Sequence, residues 1–392
     1  MGCVECKICH QDEEKNQFEY PSPSSNKYIN AYENTIVNNI TGLISNPNLK
    51  TNENFLQLFE AKLNSIGKYI PEEEFQSMLS ENLINLYEPN SPFPFGNGNP
   101  LSHKMKPIQF EQGNIYEGQW NENFEMDGYG KYFLKEEKVL AEGIWEKGTL
   151  KKARIFYPNG EFYEGEMLNS CYNGKGKLIN ENKDIYEGEF LDGEKSGKGK
   201  IIFSDGCTYG GNFFKNNFYG YGELDFGNGV VYKGNFVDNI LEGKGIMSNN
   251  EEKYEGDFEK NLFHGKGIYI YENGDEYEGD FEFGIRKGRG IYKQKNGIIF
   301  EGSWENNVPN GFGKINYNGN IIKCNYHNGK IIDKSEEQSG SYLNNIDYDF
   351  YRQKMNLSGQ RLIHLANPDI MSQEFRAGTI LSFLEEEKEE EE

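Results

Sequence analysis

The pentapeptide Tyr186-Glu187-Gly188-Glu189-Phe190 decides the fold, because copies of it recur through the middle of the 392-residue chain. Each copy has an aromatic residue, a glycine two places later and usually a second aromatic residue two places after that. The copies begin at positions 116, 141, 163, 186, 209, 232, 254, 277, 300 and 322. They are therefore 22 or 23 residues apart, with one step of 25. Ten units at so regular a period predict a repeat architecture.

The internal spacing of each unit predicts a β-strand. Residues at i, i+2 and i+4 lie on one face of a strand, so the two aromatic residues and the glycine share a face, and charged neighbours such as Glu187 lie on the other. We expect the bare glycine backbone to leave room for aromatic rings from neighbouring strands. The predicted repeat core comprises Tyr116, Gly118, Trp120, Tyr163, Gly165, Tyr186, Gly188, Phe190, Tyr209, Gly211, Phe213, Tyr232, Gly234, Phe236, Tyr254, Gly256, Phe258, Tyr277, Gly279, Phe281, Phe300, Gly302 and Trp304.

A second glycine pair follows most of these strands, as in Gly197-Lys198-Gly199, and predicts the partner strand of a hairpin. Dipeptides such as Asn228-Gly229 and Asn273-Gly274 then close many units, and such pairs tolerate the positive φ of tight turns. A lone hairpin is only marginally stable in water, so each unit must be stabilised by stacking on its neighbours.

This pattern resembles the MORN (membrane occupation and recognition nexus) repeat family, over about residues 113–334. The resemblance implies a mainly β fold: an elongated single-layer antiparallel sheet of about ten hairpin repeats, here preceded by a small α-helical segment. It also implies a scaffold. The family includes junctophilins, radial-spoke head proteins and apicomplexan cytoskeletal proteins. The tenth unit, with Ile322 and Cys324 at the key positions, is predicted to be a terminal cap.

The second unit departs from the pattern, because Ala141 replaces the aromatic residue and Lys152 and Arg154 replace the glycine pair. Together with Lys147 and Lys151 they form the one local basic cluster of the chain. Two interpretations are open: a contact for an acidic or phosphate-bearing partner, or a degenerate repeat with a solvated basic edge.

The N-terminus, Met1-Gly2-Cys3-Val4-Glu5-Cys6, predicts lipid attachment. Removal of Met1 would leave Gly2 positioned for a myristoyl group, although Cys6 stands where serine or threonine is usual. These residues resemble the dual-acylation N-termini of some Src-family kinases, in which neighbouring cysteines are palmitoylated. One myristoyl chain binds membranes only marginally, so a second signal is needed. Acidic neighbours leave Cys3, Cys6 and Cys9 as the palmitoylation candidates.

Other interpretations of the same cysteines are weighed against acylation. Cys3, Cys6, Cys9 and His10 have the spacing of metal ligands, and residues 6–10 match the haem c attachment motif. Haem attachment needs an export signal and a folded pocket, and no export signal is visible in the sequence. We therefore predict neither a metal nor a cofactor. Cys171, Cys207 and Cys324 are expected to be ordinary reduced thiols.

The segments around the repeats are predicted from composition and periodicity. Residues 1–27 hold the acylation signal and a linker, and residues 28–88 show helical apolar spacing, with Pro71 opening one helix. Residues 89–112 are predicted to be a linker, residues 335–384 a mixed C-terminal segment, and residues 385–392 an acidic tail.

Charge and motifs narrow the function. The net charge is −22, and residues 113–334 carry 28 basic and 36 acidic residues, so nucleic acid and a charge-driven membrane contact are poor partners. No catalytic motif is present, and we expect no enzyme. The prediction is a scaffold that tethers protein partners to the cytoplasmic face of a plasma or ciliary membrane. The alternatives are a ciliary or cortical cytoskeletal component like a radial-spoke head subunit, and a phosphoinositide-binding module. An array end could also pair with a second copy as a homodimer.

Overall fold

The structure is a computed structural model that describes residues 58–60, 62–63, 67–79, 81–87, 93–96 and 98–336. Its strands form one open antiparallel sheet of 23 strands, accompanied by a few short helices. The mainly β, antiparallel fold predicted from the repeats is therefore confirmed. The described residues divide into two compact units, one ending at Ser204 and the other beginning at Asp205, called here the N-terminal and C-terminal units.

The N-terminal unit contains two helices, three short strands and four repeat hairpins. The helices are α1 (Glu72–Met78) and α2 (Glu81–Tyr87), and residues 58–60 and 62–63 are also helical. The strands are β1 (Gly67–Tyr69), β2 (His103–Lys104), β3 (Ile108–Phe110), β4 (Ile115–Trp120), β5 (Met126–Leu134), β6 (Val139–Glu146), β7 (Thr149–Phe156), β8 (Phe162–Leu168), β9 (Cys171–Ile179), β10 (Ile185–Leu191) and β11 (Glu194–Ile202).

The C-terminal unit contains six further hairpins, and each strand pairs with the next along the chain. Its strands are β12 (Thr208–Phe214), β13 (Asn217–Asp225), β14 (Val231–Val237), β15 (Ile240–Ser248), β16 (Lys253–Glu259), β17 (Leu262–Ile270), β18 (Glu276–Glu282), β19 (Ile285–Lys293), β20 (Ile299–Glu305), β21 (Val308–Tyr317), β22 (Asn320–His327) and β23 (Lys330–Glu336). All ten units found in the sequence are thus hairpins.

The glycine of each unit lies beneath a tyrosine ring, but the ring belongs to its own strand. The Tyr254 ring covers Gly256 two residues along β16 and also Gly267, which lies opposite Gly256 on β17. A Cβ atom added at Gly267 would lie 2.5 Å from Tyr254 Cε2. The expectation that rings from neighbouring strands fill this space was therefore wrong in its geometry. The two glycines instead make a slot for a tyrosine lying flat across its own hairpin.

A β-bulge follows the glycine and explains why the covering residue is a tyrosine. The register shifts between Gly256 and Asp257, so one carbonyl group leaves the regular ladder of hydrogen bonds. Tyr254 Oη donates to the carbonyl oxygen of Asp257 at 2.8 Å. The same bond to the residue three places on is made by Tyr186, Tyr209, Tyr232 and Tyr277.

The tight turn inside most hairpins has two residues with positive φ, and the second is usually asparagine or glycine. In the turn before β17, Lys260 has φ 49° and Asn261 has φ 70°. Asn261 N donates to the carbonyl oxygen of Leu241 at 3.1 Å, while its Oδ1 accepts from Leu241 N at 2.7 Å. Asn239 and Asn307 bond to the preceding unit in the same way. Asparagine thus continues the sheet through the turn, because its side chain replaces a backbone acceptor.

The turns between hairpins follow the sequence prediction. The glycines of the Asn-Gly and Asp-Gly dipeptides have positive φ, 91° at Gly229 and 83° at Gly274, for example. Such values are readily adopted only without a Cβ atom.

The segment before the repeats differs from its prediction in two places. Residues 89–112 were expected to be a linker, but β2 and β3 lie there and pair with β4, while β1 pairs with β3. These short strands satisfy the hydrogen-bonding edge that β4 would otherwise expose. The predicted helix after Pro71 is present with Pro71 at its N-cap, but it ends at Met78 and α2 follows separately. Residues 1–57 and 337–392 lie outside the described residues, so the predictions made for them remain predictions.

Candidate functional site

The aromatic face of the sheet is filled by its own side chains. In the C-terminal unit Tyr209 stacks on Phe218, with ring centroids 3.7 Å apart and planes 13° from parallel. The edges of Phe213 and Phe236 contact the same ring at 5.2 and 5.1 Å. Tyr209 itself is 0% exposed. The predicted repeat core therefore serves packing, and its aromatic rows offer no open groove to a partner.

One buried cation interrupts these aromatic stacks, and the sequence analysis missed it. Arg286 is 0% exposed and lies 4.9 Å from the Trp304 ring and 5.5 Å from the Tyr277 ring. Its guanidinium donates to Tyr271 Oη at 3.0 Å and to the carbonyl oxygen of Asn307 at 2.7 Å. Alignment of the units would have revealed it, since other units have phenylalanine at the equivalent place, as at Phe218 and Phe263. Its enclosure indicates a structural role.

The opposite face, called here the outer face, carries the charged residues between the core positions. In the N-terminal unit one row of directly opposed residues runs across the strands with alternating charge. The row consists of Glu117, Lys131, Glu142, Arg154, Glu164, Lys177, Glu187 and Lys200. Opposite charges facing each other across strands stabilise a sheet modestly, by about 0.2–1 kcal/mol a pair.

Part of this outer face is covered by the segment that precedes the repeats. Phe75 of α1 and Leu83 of α2 are 0% exposed and belong to one apolar cluster with Phe133, Leu140 and other outer-face residues. The cover therefore packs as a core would, by removing apolar side chains from water.

A polar contact also anchors this cover. Tyr87 Oη donates to Glu142 Oε1 at 3.2 Å, and Tyr129 Oη donates to the same oxygen. Glu142 is 2% exposed. Burial, together with the bond to Glu142, raises the pKa of Tyr129. The shared carboxylate thus joins α2 to the sheet.

The four residues of the predicted basic cluster do not form one surface. Lys147 lies in the hairpin turn with φ 48°, and its backbone N–H donates to Asp127 Oδ2 at 3.2 Å. Lys151 and Lys152 are adjacent on β7 and so point to opposite faces. Arg154 is 6% exposed and bonds Glu164 Oε2 at 2.7 Å. This placement favours the degenerate-repeat interpretation over an anion-binding site.

Aromatic residues lie over two of these cations. Lys152 Nζ is 5.5 Å from the Phe95 ring centroid, and Arg154 Cζ is 5.8 Å from that of Phe93. Phe93 in turn contacts Tyr129 at 5.3 Å. The stretch around Phe93 therefore uses the cations as an internal packing surface.

In the C-terminal unit the outer face forms an open groove of about 1390 Å³. The row equivalent to the alternating charges runs through it, and isoleucine replaces the cation on three strands. This row consists of Glu223, Lys233, Ile246, Glu255, Ile268, Glu278, Ile291, Glu301, Lys314 and Lys323. Ile268 is 36% exposed, so its apolar surface remains open to water.

A second row in the groove is formed by the residues between paired glycines. Lys244, Lys266 and Arg289 occupy its centre, each two places before one of the three isoleucines and on the same face. Tyr221 and Phe312 occupy the same position towards the two ends and are 63% and 80% exposed. The groove thus places an apolar row beside a cationic row with aromatic ends.

The acidic groups in the groove are paired within the sheet. Glu255 bonds Lys253 at 2.7 Å, Glu278 bonds Lys293 at 3.1 Å, and Glu301 bonds Lys314 at 2.8 Å. Lys244 and Lys266 pair with Asp257 and Asp280, yet their side chains remain 72% and 71% exposed. These two ammonium groups can therefore accept a further carboxylate without leaving their present partners.

The remaining predicted sites are distributed as follows. Gly2, Cys3, Cys6 and Cys9 lie outside the described residues. Cys207 and Cys324 are buried and Cys171 is half-buried; burial raises the pKa of the Cys171 and Cys324 thiols. Across the described part of the chain, no group of His, Cys, Asp and Glu side chains is placed to hold a metal ion. Within that same part, no helix has the length and apolar content to cross a bilayer.

Comparison with protein families agrees with the hairpin geometry. The MORN repeat family model matches residues 116–134, 186–208, 232–250, 254–276, 277–298 and 300–320. A search of curated proteins gave no match. The chain therefore contains MORN repeats, and the structure adds hairpins of the same form at the units beginning at 163 and 209. MORN repeats are characteristic of repeat scaffolds and membrane-associated modules.

Proposed function

We propose that this protein is a non-enzymatic scaffold held at the cytoplasmic face of a membrane by N-terminal lipids. In this proposal Gly2 carries a myristoyl group, and Cys3, Cys6 or Cys9 carries a palmitoyl group. The repeats provide a rigid sheet whose outer face binds protein partners. A plasma or ciliary membrane is the proposed location.

The observation that carries the proposal is the division of labour between the two faces of the C-terminal unit. The aromatic face is closed by its own tyrosine and phenylalanine rings, whereas the outer face presents the groove with its isoleucine and cationic rows. A face with apolar residues and flanking charges suits a protein partner, since interfaces combine apolar contact with polar rims. The matched MORN repeats support the same class of function.

The lipid attachment is proposed from the sequence and from a magnitude. The chain carries −22 charges and cannot rely on basic residues to hold it on an anionic membrane. A single myristoyl chain gives an association constant of only about 10⁴ M⁻¹, so stable anchoring needs a second lipid. The three cysteines close to Gly2 are the residues able to receive it.

The experiment compares the full chain with Gly2→Ala and with a variant in which Cys3, Cys6 and Cys9 are replaced by serine. Cells are fed alkyne-bearing myristate or palmitate, and soluble and membrane fractions are separated. We expect Gly2→Ala to lose both labels and to be soluble, and the serine variant to keep myristate but leave the membrane fraction. Cys171→Ser, which changes a cysteine remote from the N-terminus, is the matched control and should behave as wild type. Membrane recovery of unlabelled Gly2→Ala would overturn the proposal.

A ciliary or cortical cytoskeletal role is the second candidate and follows from the same repeats without the lipids. It predicts that Gly2→Ala remains at its normal location in cells and resists detergent extraction. Phosphoinositide binding is not carried further, because the Lys147–Arg154 cluster is divided between a turn and two faces. A homodimer through an array end remains a prediction, with β23 as the strand at which the described array ends.

A further inference from the structure

The groove of the C-terminal unit differs from the equivalent face of the N-terminal unit in what covers it. In the N-terminal unit the chain covers its own outer face with α1, α2 and the stretch around Phe93. In the C-terminal unit Ile268, Tyr221 and Phe312 are open to water among the described residues. Exposed apolar residues at regular intervals, rimmed by charges, indicate a surface that binds something.

We propose that the C-terminal segment of this same chain, residues 379–392, binds in the groove. The segment contains the apolar residues Ile380, Leu381, Phe383 and Leu384, followed directly by seven glutamates and one lysine in residues 385–392. Its apolar residues contact the isoleucine row, and its carboxylates pair with Lys244, Lys266 and Arg289.

Charge complementarity supports this occupant over a neutral one. Six basic and four acidic residues line the groove, which gives its lining a net charge of +2 in a chain of −22. Residues 337–392 contain five basic and twelve acidic residues, a net charge of −7. Because the groove glutamates already have lysine partners, the cationic row can attract further carboxylates.

The attachment point and the length of the chain also fit. Asp333 and Ser335 of β23 line the groove, so the segment leaves the sheet at the groove edge. Ile268 lies on β17, six strands from β23, which corresponds to about 29 Å at about 4.8 Å per strand. The 43 residues from 337 to 379 have a root-mean-square span of about 35 Å as a flexible chain. Such a match gives the tethered segment an effective concentration in the millimolar range.

The consequence is regulatory. A groove occupied by the chain's own segment is closed to other proteins until that segment is displaced. This inference depends neither on the lipids nor on any particular partner, because it concerns two parts of one chain. Its experiment can therefore fail while the proposed membrane scaffold stands, and the reverse also holds.

The experiment uses the full-length, unacylated protein with a benzophenone amino acid at position 268. After irradiation, mass spectrometry should find cross-links from position 268 to residues 379–384. An equal mixture of ¹⁴N- and ¹⁵N-labelled protein should give unmixed products, which shows contact within one chain. The matched control places the same probe at Lys200, an outer-face position of the N-terminal unit, and should give none of these cross-links.

Two variants test the chemistry of the contact. Replacement of the seven terminal glutamates by glutamine should lower the cross-link yield at position 268 at least fivefold, since the cationic row loses its partners. Ile291→Lys, which restores the alternating charges seen in the N-terminal unit, should lower it by a similar factor. Cross-links to a different segment, isotopically mixed products, absence of cross-links, or yields unaffected by both variants would each overturn the proposal.

Discussion

Two neighbouring glycines of β12 provide a direct test of how the aromatic face is built. Gly211 lies beneath the Tyr209 ring, and a Cβ atom added there would lie 2.7 Å from both Tyr209 Cζ and Gly222 Cα. Gly210 points to the outer face, and a Cβ atom added there would meet no heavy atom within 4 Å. The pair therefore compares one identical substitution with and without the ring.

Gly211→Ala must displace the ring or the facing strand, and such overpacking costs about 1–3 kcal/mol. Displacing the ring would also strain the bond from Tyr209 Oη to Asn212 O. Gly210→Ala has no such conflict and reduces the conformational freedom of the unfolded chain, so it should stabilise by about 0.4–1 kcal/mol. The two variants should therefore differ by roughly 1.5–4 kcal/mol.

Urea unfolding followed by circular dichroism and by tryptophan fluorescence measures the difference, and agreement of the two probes checks that one transition is observed. A third protein carries Gly211→Ala together with Tyr209→Leu, which removes the ring. In that background alanine should cost under about 0.5 kcal/mol, so the two changes are strongly coupled. Equal losses of stability in Gly210→Ala and Gly211→Ala would refute the slot described above.

Three further predictions concern turns, ionisation and hydrogen bonding. Asn261→Ala should lose about 1–3 kcal/mol of unfolding free energy in urea, because Leu241 N loses its acceptor and positive φ becomes strained, whereas Asn261→Gly should lose less; equal losses would show that φ is irrelevant. Burial raises the pKa of Tyr157 to about 12 from an ordinary value of 10.0. The folded state thus holds this proton more tightly, so its contribution is complete below pH 10 and is lost as pH rises through 12. Tyrosinate absorbance and circular dichroism should change together there, and early ionisation of all tyrosines without loss of structure would contradict this. Phe300→Tyr should stabilise by up to about 1 kcal/mol in thermal unfolding by allowing a bond to the Ser303 carbonyl oxygen; an unchanged midpoint would count against the bulge explanation.

Much of the fold could be predicted from the sequence because a period of 22–23 residues leaves few alternatives. Tyr254, Gly256 and Phe258 share a face by spacing alone, and the facing glycine pair identifies the partner strand. The sequence could not show that the Tyr254 ring covers its own glycine, because that geometry depends on the bulge after Gly256. Nor did it reveal the bonds of Asn261, which depend on a turn conformation that asparagine shares with glycine.

The candidate site was harder to predict, because the repeat motif directs attention to its regularly spaced positions and away from the residues between. Ile246, Ile268 and Ile291 stand where the N-terminal unit has lysine or arginine, and an alignment of the ten units would expose that substitution. The basic cluster at Lys147–Arg154 was visible at once, yet adjacent residues on a strand face opposite ways and Arg154 is buried. Local charge in a sequence therefore says little about a shared surface in a sheet.

The tyrosine slot has a consequence for how such a protein can change over generations. Stability resides in the aromatic face, where the ring of Tyr254 occupies the space left by two glycines. The residue between paired glycines points away from that face, and it is lysine at 244, arginine at 289 and phenylalanine at 312 in hairpins of the same form. Recognition can therefore be rewritten one hairpin at a time while the fold is left intact, which makes the array a natural template for grafting new binding specificities.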